Sequence, residues 1–106
     1  MVKRILLSQE FGNNIFTRRT ISAFFEKINS RKEAEIMLDF KSVDFISRSC
    51  ADEYLKQKEE SSKKIVERNM SQEICSMFNA VQSQYEKKGF TVSFVNCINN
   101  NKKIPA

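Results

Sequence analysis

Two serines, Ser47 and Ser49, lie on either side of Arg48 in the segment DFISRSCADEY, where a hydrophobic run ends. Three roles are open to a serine hydroxyl in this position: a nucleophile, an acceptor of phosphate, or the cap of a helix. A nucleophile needs a base, and the chain contains no histidine, which removes Ser-His-Asp and Cys-His activation. No G-x-S-x-G elbow surrounds either serine. We therefore predict that the protein has no catalytic residues and is not an enzyme.

Ser49 is well placed in the sequence to cap a helix. Asp52 follows three residues later, and this S-x-x-D spacing is a close relative of the capping box, in which the serine accepts a backbone N–H of the first turn. Asp52 and Glu53 would also interact favourably with the positive end of the helix dipole. A helix N-terminus binds anions as well, so a phosphate on Ser49 is feasible, with Arg48 in its favour and both acids against it. The sequence leaves both roles open.

Neither a cofactor nor a metal site is predicted. Two-histidine zinc sites are excluded, and Cys50, Cys75 and Cys97 form no C-x-x-C pair. A three-cysteine metal site stays open, but we interpret the cysteines as buried free thiols, which are typical of a reducing compartment. No phosphate-binding loop of the G-K-[ST] type occurs, and nucleotide binding is therefore a weaker interpretation.

The hydropathy pattern predicts a cytoplasmic protein that does not enter a membrane. The N-terminal sequence MVKRILLSQEF has a basic start, but its apolar run is only three residues long before Ser8, too short for a signal peptide. No apolar stretch approaches the length needed to cross a bilayer. Together with cysteines interpreted as reduced, this pattern makes the cytoplasm the expected location.

Basic residues are in excess, with a net charge of +5, and many of them occur in doublets. The doublets are Lys3-Arg4, Arg18-Arg19, Lys63-Lys64, Lys87-Lys88 and Lys102-Lys103. If they shared one face, they would track a phosphate backbone, and the protein would be a small basic accessory protein that binds nucleic acid. If they are scattered, they are solvated surface charge. We favour the second interpretation, because the doublets lie in different predicted elements and acidic residues are interspersed.

The strands that must position the two serines are predicted from apolar and β-branched runs. These runs lie at residues 2–8, 15–16, 36–40, 65–69 and 90–95. The second strand is short and is predicted to return antiparallel to the first, after a turn at Gly12. The run at 36–40 is almost continuously apolar, as expected of a strand covered on both faces. Residues 41–46 are predicted to carry the chain over the end of that strand to the two serines.

Three helices are predicted between these strands. Thr17, Ser49 and Ser71 are their predicted caps, and Gly89 is predicted to end the third helix. The first helix has an apolar stripe at helical spacing, formed by Ile21, Phe24, Phe25 and Ile28. Strands that alternate with helices predict an α/β domain, with a mixed sheet of four or five strands and about three covering helices. Residues 1–98 are the predicted domain, and residues 99–106 are a polar C-terminal tail.

The stretch IMLDFKSVDFISRSCADEYLKQ resembles the signature of STAS domains, a family named for sulphate transporters and anti-sigma factor antagonists. It is similar above all to bacterial and archaeal STAS-like domains of unassigned function, which read roughly DF-x-G-V-x-x-(I/S)-S-S-S-F-A-D-E. The matching residues here are Asp39, Phe40, Val43, Ile46, Ser47, Ser49, Ala51, Asp52 and Glu53. The resemblance implies a single STAS-like domain.

The resemblance also implies a regulatory module that docks a protein partner and is not an enzyme. In the antagonist branch the partner is a serine kinase of the histidine-kinase-like ATPase type, and phosphorylation of the second serine of the motif releases it. Ser49 occupies that position and is the implied phosphoacceptor; transcription regulators are further implied partners. Docking is expected through the loop and helix start at 47–56. The implied contact residues are Ser47, Arg48, Ser49, Cys50, Asp52, Glu53 and Lys56.

Overall fold

Parallel strands joined by helices form the framework of the protein. A computed structural model describes residues 2–12, 14–15 and 17–89. The strands in this part are β1 (Val2–Leu6), β2 (Asn14–Ile15), β3 (Glu35–Asp39), β4 (Phe45–Ile46) and β5 (Lys64–Arg68). The helices are α1 (Leu7–Phe11), α2 (Arg18–Asn29), α3 (Arg48–Glu60) and α4 (Gln72–Lys87). This alternation confirms the predicted α/β class.

The larger described sheet has three strands in the order β1-β3-β5, and both of its pairs are parallel. The register places Ile5 beside Leu38 and Leu38 beside Glu67. Ile36 and Leu38 of the central strand are fully buried, while Met37 between them is half-buried. The described residues therefore do not reproduce the predicted mixed sheet of four or five strands. The strand predicted at 90–95 and the tail at 99–106 lie outside the described residues.

Helix α3 lies between α2 and α4 and contacts both. Its Tyr54 is the centre of an aromatic cluster in the core. The ring centroid of Tyr54 is 5.4 Å from that of Phe25, 6.2 Å from that of Phe40 and 5.1 Å from that of Phe78. Edge-to-face and tilted pairs of this kind add to the free energy gained by burying apolar surface. The side chain of Tyr54 therefore packs α3 against α2, against the end of β3 and against α4.

Helices α2 and α4 form where the local signals predict them. Thr17 Oγ1 accepts a hydrogen bond from the backbone N–H of Thr20 at 3.3 Å, and Ser71 Oγ accepts one from that of Ile74 at 3.2 Å. Gly89, just past α4, has φ of 81°, a left-handed conformation that glycine adopts without strain. The predicted apolar stripe of α2 is buried as a whole. The predictions for these two helices are confirmed.

The prediction for the first strand is wrong at its end. Strand β1 stops at Leu6, and α1 replaces the predicted continuation to Ser8. Leu7 is buried, and the ring of Phe11 packs on that of Phe24 with centroids 5.0 Å apart. Two apolar residues at i and i+4 lie on the same face of a helix, and leucine favours a helix over a strand. The short helix α1 therefore places Leu7 and Phe11 on the face that packs against the core.

The prediction for the second strand is wrong in its direction. Strand β2 pairs in parallel with β4, and β4 lies within the segment predicted as a connection. Each of these strands has two residues, too few for a period to be visible in the sequence. Their pairing depends on α2 and β3 between them, which bring the chain back in the same direction.

Asp39, at the end of the central strand β3, links its neighbours. Its carboxylate is almost fully buried and accepts hydrogen bonds from Arg4 Nη2 at 2.5 Å, from the Lys41 backbone N–H at 2.9 Å and from Asn69 Nδ2 at 3.0 Å. Burial alone would raise the pKa of Asp39, but the hydrogen bonds from Asn69, Lys41 and Arg4 outweigh it, and the pKa is lowered. The ionised carboxylate thus joins β1, β3 and the residue that follows β5.

The state of the cysteines differs in part from the expectation. Cys50 is a buried free thiol, as predicted, but Cys75 is disulfide-bonded, so the prediction of free thiols is wrong for that residue. Cys97 lies outside the described residues. The cysteines therefore no longer support the predicted cytoplasmic location. Among the described helices, none combines the length and the apolar composition that a membrane span requires.

Candidate functional site

The hydroxyl that caps α3 belongs to Ser47. Its Oγ accepts a hydrogen bond from the backbone N–H of Cys50 at 3.2 Å, and its backbone is extended. The prediction that Ser49 is the cap is therefore wrong. Helix α3 begins at Arg48, and the side chain of Cys50 in its first turn is fully buried with those of Ala51 and Tyr54. Ser49 lies in the first turn, half-buried, with its Oγ 3.3 Å from that of Ser47.

A groove runs along α3 and the last turns of α4; we call it the Ser49 groove. Its volume is about 930 Å³. From α3 it is lined by Arg48, Ser49, Asp52, Lys56, Glu59 and Glu60. From α4 it is lined by Val81, Gln84, Tyr85 and Lys88, and Arg18 of α2 completes the lining. On both α3 and α4 the lining residues recur at helical spacing, so each helix contributes one face.

Four of the seven residues predicted to contact a partner line this groove. Arg48 and Lys56 are exposed, while Ser49 and Asp52 are half-buried. Two cations and a hydroxyl are thus presented to solvent around a carboxylate.

The other three predicted contact residues have structural roles. Ser47 caps α3, and Glu53 makes hydrogen bonds to α2. The side chain of Cys50 is in the core with 0% exposure, so it offers no surface to a docked protein. Their sequence positions are close to the groove, but helical geometry turns Cys50 and Glu53 away from it.

Asp52 is the charged centre of the groove. The Tyr85 hydroxyl donates a hydrogen bond to Asp52 Oδ1, Arg18 Nη1 lies 3.1 Å from Oδ2, and Lys56 Nζ lies 3.4 Å from it. Burial would raise the pKa of Asp52, but the bonds from Tyr85 and Arg18 outweigh it and lower the pKa. Burial together with the same carboxylate raises the pKa of Tyr85 to about 12. Side chains of α2, α3 and α4 therefore meet at one ionised group.

Glu53 makes a second link between α2 and α3. Gln57 Nε2 donates to it at 2.7 Å, Ser22 Oγ at 3.0 Å and Arg18 Nη1 at 3.3 Å. The bond from Gln57 has the largest effect on the pKa of Glu53, which is lowered although burial opposes this. Hydrogen bonding to Asp52 is the main reason why the pKa of Arg18 is raised. One guanidinium nitrogen is therefore shared by two neighbouring acids.

Arg18 and Tyr85 line the groove and bond to Asp52, although neither is predicted from the sequence as a site residue. Arg18 is predicted to be surface charge, and Tyr85 lies within the third predicted helix. One sequence signal was available for Arg18. Two arginines at a helix start oppose the helix dipole, and this predicts carboxylates from another element nearby.

The groups around the Ser49 hydroxyl are a second hydroxyl and charged side chains. Within the described residues, the hydrogen-bond partner of the Ser49 hydroxyl is the hydroxyl of Ser47, which is not a base at neutral pH. No group of three His, Cys, Asp or Glu in this part of the chain could hold a metal. The groove presents charged side chains, the hydroxyls of Ser49 and Tyr85, and the apolar side chain of Val81 between α3 and α4.

The basic doublets do not form a single surface in the described part of the chain. Lys63-Lys64 follows the C-terminal end of α3, whereas Arg18 and Lys88 line the groove, where Arg18 contacts Asp52 in the N-terminal half of α3. A helix of 13 residues is about 20 Å long, so these cations are well separated. The doublet at 102–103 lies outside the described residues. Nucleic-acid binding therefore stays a prediction that the described doublets disfavour.

A second polar cluster lies between α3 and β5, away from the groove. The Tyr54 hydroxyl donates to Glu67 Oε2 at 2.5 Å, and Lys58 Nζ lies 3.0 Å from the same oxygen. The side chains of Glu67 and Lys58 are only 2% and 12% exposed. Burial, followed by the charge of Glu67, raises the pKa of Tyr54 well above its ordinary value. We call these three residues the buried triad.

Comparisons of the chain with protein-family models, with curated proteins and with solved structures find no match. The functional assignment therefore depends on the Ser49 groove and its residues.

Proposed function

We propose that this protein is a non-enzymatic, STAS-like regulatory module that docks a protein partner at the Ser49 groove. The observation that carries the proposal is the groove itself, in which Arg48, Ser49, Asp52 and Lys56 lie side by side. These residues come from the segment whose sequence resembles the family signature. The partner we propose is an ATPase of the serine-kinase type, with a transcription regulator as the alternative of the same class.

The lining of the groove supports docking by a protein surface. Its charges are mixed in sign, and Val81 and Tyr85 of α4 are also part of the lining. Mixed charge fixes the register of a docked surface, while the buried apolar contacts supply affinity. Arg48 is the residue most open to a partner, because it is exposed and makes no ion pair or hydrogen bond with the described residues.

A phosphate on Ser49 would act as the switch. The kinase transfers the γ-phosphoryl group of ATP to Ser49 Oγ; the bond to the β-phosphate oxygen breaks, and ADP and the hydroxyl proton are released. The modified side chain carries about two negative charges at neutral pH. In a groove that already contains Asp52, this reverses the local charge and repels a partner that is docked on Arg48 and Lys56.

The docking site is tested by a charge reversal with a matched control. Tagged wild type, Arg48→Glu and Lys32→Glu are purified from the native cells, the retained proteins are identified, and each candidate is then titrated in purified form. Lys32 is exposed and lies beyond the C-terminal end of α2. We expect Arg48→Glu to raise the Kd for the partner by about tenfold or more, which is about 1.4 kcal/mol, and Lys32→Glu to leave it unchanged. Equal Kd values for all three proteins would contradict docking at the groove.

The switch is tested on the same binary complex. Phosphopeptides are mapped after incubation with the partner and ATP, and the Kd of Ser49→Asp is compared with that of Ser71→Asp. Aspartate at position 71 keeps the cap of α4 and adds the same charge at the end of that helix remote from the groove. An unmodified Ser49, together with equal Kd values for the two variants, would eliminate the switch while leaving docking intact.

A further inference from the structure

Arg18 occupies an unfavourable place in its own helix. It is the first residue of α2, Arg19 follows it, and the first turn of α2 contains no acidic residue. Cations at a helix N-terminus face the positive end of the dipole. The compensation comes from α3, because Arg18 Nη1 lies 3.1 Å from Asp52 and 3.3 Å from Glu53. The position of this guanidinium is therefore determined by the charges on α3.

The same guanidinium is within reach of Ser49. Both residues line the groove, and Ser49 lies three positions before Asp52 on α3, so the two side chains are on one face about 5–6 Å apart at Cβ. Burial raises the pKa of the Cys50 thiol, while the hydrogen bond with Ser47 and then the charge of Arg18 act in the opposite direction. Arg18 therefore faces the N-terminal part of α3, which contains Ser49.

We infer that Arg18 changes its partner when Ser49 is phosphorylated: its guanidinium leaves Asp52 and Glu53 and binds the phosphate. The bridge between the first turn of α2 and α3 is then lost. The inference deepens the proposed function and rests on it, since it requires Ser49 to be the phosphoacceptor.

The contacts of Arg18 favour this exchange. Its two hydrogen bonds to carboxylates both use Nη1, and its side chain is 50% exposed, so a new acceptor in the groove can approach it. A phosphate offers three acceptor oxygens and about two negative charges, and it binds arginine in a bidentate manner. Both acids keep other partners after this exchange. Asp52 keeps Tyr85 and Lys56, and Glu53 keeps Ser22 and Gln57.

The test uses the full chain with phosphoserine incorporated at position 49 during synthesis, so no kinase is needed. The second pKa of the phosphate is measured by ³¹P NMR titration in three backgrounds: unchanged, Arg18→Gln and Arg19→Gln. Arg19 is the matched control, since it is the adjacent exposed arginine and does not line the groove. A phosphate ordinarily loses its second proton near pH 6, and a paired arginine lowers that pKa. We expect Arg18→Gln to raise it by about 0.5, and Arg19→Gln to leave it unchanged.

Identical second pKa values in all three backgrounds would overturn the inference. If Arg18→Gln lowers the melting temperature too far for the titration, Arg18→Lys is used, which keeps the charge but loses the planar fork; an intermediate pKa is then expected. The Nε–Hε NMR signal of Arg18 gives a second measurement, because it should move on phosphorylation and stay in place in Ser49→Ala. A phosphate that leaves partner binding unchanged would contradict the proposed switch, but it would leave the ³¹P result standing, so the two failures are distinguishable.

Discussion

The buried triad and the Ser49 groove are built from the same kinds of groups in different surroundings. In each, a tyrosine hydroxyl donates to a carboxylate that also binds a cation: Tyr54, Glu67 and Lys58 in the triad, and Tyr85, Asp52 and Arg18 in the groove. The triad carboxylate is 2% exposed, while that of Asp52 is 19% exposed and the Arg18 side chain 50%. Removing one member of a buried ion pair leaves an unpaired charge, whereas water replaces a partner lost at the surface.

This difference assigns the two clusters to different tasks. The triad links α3 to β5 and can tolerate little change, because its ion pair and its tyrosine hydrogen bond are almost fully buried. The groove cluster joins three helices with contacts that can be exchanged at low cost. A surface that must respond to a modification or to a partner needs the second kind of cluster, and four predicted contact residues are found there.

The largest expected effect is that of breaking the triad. Glu67→Ala removes the carboxylate of a nearly buried ion pair with Lys58 and leaves Tyr54 without its acceptor, and we expect the free energy of unfolding to fall by about 3 kcal/mol. Urea denaturation followed by circular dichroism measures this. Glu60→Ala, at an exposed acid of α3, should change it by less than about 0.5 kcal/mol.

The double variant Glu67→Leu with Lys58→Met removes both charges of the ion pair. It therefore distinguishes the effect of losing the ion pair from the effect of leaving one buried charge behind. Apolar residues of similar volume often replace a buried ion pair without loss of stability, so this variant should be more stable than Glu67→Ala. A double variant as unstable as Glu67→Ala would show that the triad contributes through its pairing and not only through the charge left behind.

The two tyrosines allow the sharpest direct comparison, since Tyr→Phe removes the same atom from each cluster. We expect Tyr54→Phe to lower the free energy of unfolding by about 2 kcal/mol, because a buried charged acceptor loses a donor. Tyr85→Phe should lower it by about 0.5 kcal/mol, because Asp52 keeps its two cations and access to water. Equal losses in the two variants would contradict the division into a structural and an adjustable cluster.

The two serines at the start of α3 are expected to differ as well. Ser47→Ala removes the cap and should cost about 1 kcal/mol of stability. Ser49→Ala, in the first turn without a capping role, should stay within about 0.5 kcal/mol of wild type. Thermal unfolding of both variants decides the matter, and a larger loss for Ser49→Ala would restore the assignment of the cap to Ser49.

The last prediction is a pH dependence that belongs to the groove. The pKa of Tyr85 is raised from 10 to about 12 in the folded protein. A raised pKa contributes stability that is fully present below pH 10 and is lost as the pH rises through about 12. The stability of wild type relative to Tyr85→Phe should therefore fall over this range when unfolding is measured by denaturant at several pH values. A relative stability that stays constant to the end of the range would mean that the pKa of Tyr85 is not raised in the folded protein.

Local signals were sufficient for α2 and α4, and long-range contacts decided the rest. The caps Thr17 and Ser71 and the apolar stripe of α2 depend on residues within a few positions of each other, and these predictions are confirmed. Both Ser47 and Ser49 satisfy the local rule for a cap. The helix starts after Ser47, whose Oγ accepts the backbone N–H of Cys50, and the local pattern does not distinguish the two serines.

The site was predictable to a similar extent. Arg48, Ser49, Asp52 and Lys56 come from one segment, so a motif found them together. Arg18 and Tyr85 reach Asp52 from 34 and 33 positions away in the sequence. Such pairs become visible only when the packing of α2 and α4 on α3 is known.

The buried carboxylate of Asp39 has a consequence for how the protein folds. Its donors Arg4 and Asn69 lie 35 residues before and 30 residues after it, one in an edge strand and the other just after the opposite edge strand. A partly assembled sheet that lacks either side leaves this acid with too few donors in an apolar setting, at a cost of several kcal/mol. The three strands should therefore form and separate together in an all-or-none transition. Because both links are long-range, that transition should also be slower than expected for a helical protein of equal length.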